Sequence, residues 1–258
     1  MRLMKRILSA AAVLALSASL LVGCSSGTAS SVPVSASSAA ESTVSSVEET
    51  ASSAVDENEA AAAQLLNDLT GSYQELWPVI LADEYQQTWL DDCTALVGED
   101  NAEAAFEKLS SMVTGDVYGE DAVKAYANGG GAYFCGFTNS LAILTFDGET
   151  STISGTDKDG NVLFSHTYHY IGMEPVRGLY EFQSDDADSG EFTYFFLAPD
   201  TSAETYHIEF RYGSDAEALS QYDTGEYAYW LASGISTDCD QTMIDNCIEL
   251  FCTENLAG

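Results

Sequence analysis

The chain contains three histidines, His166, His169 and His207, and an imidazole is the side chain most often asked to hold a metal or move a proton near neutral pH. A nucleophilic catalyst would need one of them beside an activated Ser or Cys, and no spacing singles one out. GxSxG, GxGxxG, P-loop and HExxH patterns are all absent from the sequence. The expectation is a binding protein and not an enzyme. His207 lies in Thr205-Tyr206-His207-Ile208-Glu209-Phe210. Alternation on a strand sends Tyr206, Ile208 and Phe210 to one face and Thr205, His207 and Glu209 to the other. A His and a Glu two residues apart then point the same way and could share a cation. The competing reading is a solvated strand face with an incidental His–Glu pair. His166 and His169 are three apart, so a regular strand sends them to opposite faces, and they cannot share one ion without a bulge.

Carboxylates and thiols offer other chemistry. Asp157-Lys158-Asp159-Gly160-Asn161 has part of the spacing of a calcium loop but lacks its later Glu, and Asp185-Asp186-Ala187-Asp188-Ser189-Gly190-Glu191 is a dense acidic run. Both read as hairpin turns. Of the six cysteines, Cys24 belongs to the leader described below, leaving Cys93, Cys135, Cys239, Cys247 and Cys252. An odd set leaves one thiol free or paired between chains, and there is no CxxC zinc spacing. Cys247 and Cys252 are five apart on a predicted helix, an awkward separation for bridging each other. A bond from one of the three C-terminal cysteines to Cys93 or Cys135 would tie that helix to the body.

The elements that must position these residues follow a leader. Arg2, Lys5 and Arg6 form a basic start, Ile7 to Val22 is an apolar run shorter than a comfortable membrane span, and Leu21-Val22-Gly23-Cys24 resembles a bacterial lipobox. By that resemblance residues 1–23 are a lipoprotein signal peptide, and Cys24 is the lipidated first residue of a bacterial lipoprotein. An ordinary secretory signal and a single-span anchor are the competing readings. Residues 24–57, rich in Ser, Ala, Val, Thr and Glu and without aromatics, read as a disordered tether. Residues 58–258 then form one extracytoplasmic domain, held at the cell membrane only through the lipid.

Within that domain, helices are predicted over Glu57–Leu69, Tyr85–Leu96, Ala102–Val113 and Glu120–Ala127, with Asn101 and Gly119 as starts and Gly115 as a stop. After Gly129-Gly130-Gly131 the chain becomes rich in β-branched and aromatic residues. Strands are predicted over Ala132–Phe137, Leu141–Phe146, Ser151–Gly155, Val162–Tyr170, Gly178–Gln183, Phe192–Ala198 and Thr205–Tyr212, with hairpin signals at Asp147-Gly148 and Asp159-Gly160. A short helix over Asp215–Gln221 and a final one from Asp240 to Cys252, capped by Asp238, complete the chain. The expected class is α+β, mainly antiparallel β, as a barrel or sandwich with helices leading and closing it.

Composition narrows the partners. The chain carries 41 Asp and Glu against 8 Lys and Arg, a net charge of −33, and three of those cations precede Cys24. So acidic a surface repels phosphate backbones and anionic headgroups, which excludes nucleic acid and polybasic membrane docking and favours cations. With 46% hydrophobic residues the chain can build a core, which excludes a wholly disordered protein.

Several segments, in order, resemble the ZinT (YodA) family of extracytoplasmic zinc-binding proteins. Gly71-Ser72-Tyr73-Gln74-Glu75-Leu76-Trp77-Pro78 is similar to the family's G-x-W-Q-S-V-Y-P opening, and Tyr168-His169-Tyr170-Ile171-Gly172 to its Y-x-Y-x-G strand end. Val176-Arg177-Gly178-Leu179-Tyr180-Glu181-Phe182 resembles V-R-Y-L-F-E, and Leu197-Ala198-Pro199 with Thr205-Tyr206-His207-Ile208 resembles I-A-P followed by H-F-H-I. Gly213-Ser214-Asp215, ahead of Ala218-Leu219, is similar to the G-x-D/E helix entry. The resemblance covers about residues 71–235. It implies a lipocalin-like (calycin) barrel with flanking helices, zinc as the bound ion, and a zinc ABC transporter as the partner served. The family uses three His as ligands. Here Phe195 and Thr205 stand at the first two positions and only His207 is kept. Phe cannot ligate zinc and Thr ligates it poorly, so the resemblance implies either a site rebuilt on His207 with carboxylates such as Glu204 or Glu209, or a scaffold without metal. The leading expectation is therefore a lipid-anchored divalent-cation binder with His207, Glu209, Glu204 and Thr205 at its site. The alternative is a metal-free calycin-fold ligand-binding or interaction lipoprotein.

Overall fold

Alternating apolar residues cannot bury one face of a strand without a second layer, and this chain solves the problem by closing a sheet on itself. The computed structural model describes residues 57–114, 133–198 and 207–256. The expected signal peptide with Cys24, the expected tether, the helix expected at Glu120–Ala127, and Glu204 and Thr205 lie outside those residues. Eight strands pair in sequence order, each antiparallel to the next, and the last returns to the first. They are β1 (Gly71–Glu75), β2 (Ile143–Asp147), β3 (Thr152–Thr156), β4 (Val162–Met173), β5 (Tyr180–Ser184), β6 (Tyr194–Leu197), β7 (His207–Gly213) and β8 (Ala232–Ser236). The expected antiparallel barrel with flanking helices is the observed fold, and an up-and-down eight-stranded barrel is the lipocalin arrangement.

The turn signals act as their chemistry requires. Asp147 Oδ1 accepts from the backbone N–H of Glu149 and Thr150 between β2 and β3. Between β3 and β4, Asp157 Oδ1 accepts from the N–H of Asp159 and Asn161, and Gly160 takes a φ of 81° that an L side chain would resist. These internal bonds make the segment a hairpin turn, as read from the sequence, with its first carboxylate already satisfied. At Gly155, beside a register shift between β3 and β4, any Cβ would collide with Leu141 and Phe164, so the bend demands glycine.

Three strand expectations need correction. The stretch Ala132–Phe137 forms no strand among the described residues; only Phe134 makes an isolated parallel bridge, to Trp230. The two strands that close the barrel, β1 and β8, lie in segments not expected to be extended. Only Tyr73 of β1 is buried, and β8 reads Ala-Ser-Gly-Ile-Ser, small residues without the β-branched and aromatic density that marks a strand. Their extended form comes from pairing with β2 and β7 and with each other.

Inside the barrel, Tyr73, Leu144, Phe146, Ile153, Phe164, Tyr168, Phe182, Phe195, Ile208, Phe210 and Tyr212 fill the lumen. Phe195 stacks on Tyr212 at 5.4 Å between ring centroids and meets Tyr168 edge-on at 5.4 Å. Outside, helices cover part of the wall. They are α1 (57–68), α2 (Leu76–Ile80), α3 (Gln86–Val97), α4 (Glu99–Thr114), α5 (Ala216–Leu219) and α6 (Gln241–Leu256). The buried residues of α6, Ile244, Cys247, Ile248 and Cys252, recur at helical spacing and meet Trp77, Trp89 and Cys93 in a second core that also takes in Ile235 of β8. Asp240, not Asp238, caps α6: its Oδ1 accepts from Met243 N–H at 3.0 Å. α4 begins at Glu99, two residues before the expected Asn101, because Gly98 ends α3 with a φ of 84°.

Candidate functional site

Strand β7 decides where the one family-matched histidine points. Ile208, Phe210 and Tyr212 enter the barrel, so His207, Glu209 and Arg211 face outward. The shared face expected for His207 and Glu209 is therefore present. Across the ladder His207 opposes Ile235 and Glu209 opposes Ser233. The helices α2 and α6 roof this face and leave a small pocket of about 40 Å³, lined by Leu76, Trp77, Ile80, His207, Glu209, Cys247, Leu250, Phe251 and Glu254. That volume accommodates an ion or a few water molecules and nothing larger. One imidazole, two carboxylates and a thiol thus border one space, contributed by a strand and the C-terminal helix. Cys247 and Glu254 had no place in the sequence reading of the site. Cys247 lay on the predicted last helix, but Glu254 fell beyond its expected end at Cys252; the observed helix runs on to Leu256 and places the two, seven apart, on one side of it.

The thiols here are not poised to act as ligands by themselves. Burial pushes the Cys247 thiol up to about 12. It does the same to Cys135, also to about 12, with the negative charge of Glu209 adding to the effect and Ser233 and Trp77 partly opposing it. Both remain protonated at neutral pH unless a cation displaces the proton. Trp77 Nε1 is buried without a hydrogen-bond partner of good geometry, although its N–H reaches toward Cys135 closely enough to favour the thiolate. Among the described residues no three His, Cys, Asp or Glu side chains converge tightly enough to hold a metal. His207 and Glu209 supply two donors of the right type.

Phe195, at the position where the family resemblance implies the first ligand, is fully buried in the lumen and opposes Tyr212. It stands on the opposite face of the sheet from His207. The two positions do not converge in this fold.

The other histidines are engaged elsewhere. His166 points into the barrel row beside Phe164, and His169 points out, as their spacing requires. His166 Nδ1 lies 2.6 Å from Asp186 Oδ2, and His169 Nδ1 lies 2.6 Å from Asp185 Oδ1. Asp185 and Asp186 follow directly on the end of β5, and each meets one of the two histidines. The β4–β5 hairpin makes this legible afterwards: Tyr168 opposes Ser184, which carries Asp185 and Asp186 back alongside residues 167 and 166. The acidic run is a turn tied by Ser184 and Ser189 hydroxyls 2.7 Å apart.

Arg211 is the other outward residue of β7 that sequence reasoning missed. It is fully buried, paired with no carboxylate among the described residues, and its guanidinium donates to the carbonyls of Leu219, Gln221 and Tyr227 while stacking 4.3 Å from the Tyr222 ring. Burial lowers its pKa. It closes the end of α5 and the loop leading to β8.

A larger, open pocket of about 400 Å³ lies beside this loop, with Phe134, Tyr227, Tyr229 and Trp230 among its walls and Glu191 and Glu226 at its edge.

No protein-family model matches the chain, and no curated protein matches it. Among solved structures it is similar to the Zn(II)-bound ZinT-like domain of Streptococcus pneumoniae AdcA, with a TM-score of 0.43 and 16% identity over 74% of this chain and 89% of that one. It is also similar to Zn(II)-bound AdcA from Streptococcus pneumoniae, with a TM-score of 0.42 and 14% identity over 72% of this chain and 35% of that one.

Proposed function

We propose that this protein is a lipid-anchored, extracytoplasmic binder of a divalent cation, zinc by the family resemblance of its sequence, and that it serves metal uptake through a zinc ABC transporter without being an enzyme itself. The observation that carries the reading is the placement of His207 and Glu209 on one face of β7, bordering a single pocket with Cys247 and Glu254. The acidic surface, with its net charge of −33, raises the local concentration of cations around it. Calorimetric titration of the purified protein with zinc, alongside manganese and calcium, tests the reading. His207→Ala is expected to weaken zinc binding at least on the order of 100-fold, since loss of a residue that merely orients a metal ligand already costs about 10–100-fold. Binding should also weaken as pH falls, because protons compete with the cation for the imidazole nitrogen. A variant that matches the parent would move the site elsewhere.

The membrane placement rests on the basic start, the apolar run and Leu21-Val22-Gly23-Cys24. Cys24→Ser is expected to abolish incorporation of labelled fatty acid, and a labelled variant would refute the anchor.

A metal-free ligand-binding protein is the second reading. It is favoured by Phe195 filling the lumen where the family resemblance implies a ligand, and by the aromatic-walled pocket of about 400 Å³. Absence of any divalent-ion binding in the titration would leave this reading in place of the first.

A further inference from the structure

Two thiols meet in the core between the helices. Cys93 on α3 and Cys252 on α6 are both fully buried, and their sulfurs lie 3.9 Å apart although the residues are 159 positions apart in the chain. The helices α3 and α6 pack against each other at this point. A disulfide needs sulfurs about 2.05 Å apart, so the two side chains must turn toward each other for the bond to form. The remaining thiols of the domain have other neighbours. Cys135 Sγ donates to the carbonyl of Tyr133 at 3.3 Å, and Cys247 lines the pocket beside His207 and Glu209.

We propose that Cys93 and Cys252 form a disulfide that clamps the C-terminal helix to α3. The oxidant is a disulfide of a small thiol or of a thiol-exchange protein. One cysteine sulfur attacks that disulfide, forming a mixed disulfide and releasing the first donor thiol. The other cysteine then attacks the chain-bound sulfur, forming the Cys93–Cys252 bond and releasing the second donor thiol. Two protein thiols lose two electrons, and their two protons leave on the donor thiols. Exchange requires access, so the bond forms before α6 has closed over α3; once α6 is docked, burial shields it from reductant. The clamp also holds the helix that carries Cys247 and Glu254 against β7, although it stands independently of any metal.

The experiment is to refold the full-length reduced chain in a buffer of oxidised and reduced glutathione. Free thiols are then alkylated in denaturant and the unreduced peptides mapped by mass spectrometry. A linked pair carrying Cys93 and Cys252, lost on reduction, is expected. Recovery of both as alkylated thiols, or joined to other cysteines, would overturn the proposal. Oxidation is further expected to raise Tm by about 5–15 °C in the parent and to leave the Cys93→Ala/Cys252→Ala variant unchanged. A parent whose Tm does not respond to oxidation, or a double variant that keeps the response, would refute the clamp. If the double variant fails to fold, the parent's peptide map and Tm decide the matter. Because the redox buffer is defined, failure here is distinct from failure of the membrane-anchored placement.

Discussion

Phe195→Ala is expected to destabilise the fold by about 3–5 kcal/mol, measured by chemical denaturation. The ring is fully buried and packs on Tyr212, Phe210, Phe164 and Tyr168, so truncation opens a cavity at the centre of the lumen. The same position offers a sharper test. Phe195→His places a polar ring where no neighbour among those four offers a carboxylate, and it should cost about 1–3 kcal/mol. Residue 195 faces into the barrel and His207 faces out, so the substitution should not tighten zinc binding. A Phe195→His protein that binds zinc more tightly than the parent would show that the two positions do converge, and would overturn the outward site.

Arg211 carries the second large effect. Its guanidinium meets the carbonyls of Leu219, Gln221 and Tyr227 and stacks on Tyr222, fully buried. Arg211→Ala is expected to cost about 3–5 kcal/mol, because the carbonyls lose their donors and a cavity opens beneath the ring. Arg211→Met keeps most of the volume but none of the donors and should still cost about 2–3 kcal/mol. A lysine cannot reach three separated carbonyls with one ammonium group, so Arg211→Lys should not restore the parent's stability. If the methionine variant unfolds at the same denaturant concentration as the parent, the carbonyl contacts contribute nothing and packing alone explains the residue.

The two substitutions probe opposite faces of neighbouring strands, and the contrast explains why a metal at His207 remains compatible with an aromatic lumen. A calycin barrel commonly keeps its lumen open for a ligand. Here the lumen is occupied by rings, and the polar chemistry of β7 has been turned outward under α2 and α6. The pocket there is small, and its donors come from two elements, so the position of the C-terminal helix governs how closely they approach one another. The Cys93–Cys252 clamp bears on that position.

Much of this protein was legible from residue order alone. Alternation placed Ile208 and Phe210 opposite His207 and Glu209, and Asp-Gly pairs marked two hairpins, because side-chain period and turn chemistry are local properties. The helical stripe of α6 was legible for the same reason. Strands β1 and β8 were not, since Gly-Ser-Tyr-Gln-Glu and Ala-Ser-Gly-Ile-Ser carry little intrinsic preference to extend, and only pairing across the closing seam makes them strands. Nor could residue order show that Asp185 and Asp186 answer His169 and His166, that Arg211 caps a distant loop, or that Cys252 comes to rest beside Cys93. Each of these depends on how separate elements pack, across 8 to 20 residues for the arginine and histidine contacts and 159 for the two cysteines. Local sequence set which face each donor occupies; the tertiary structure alone decided which donors share a space.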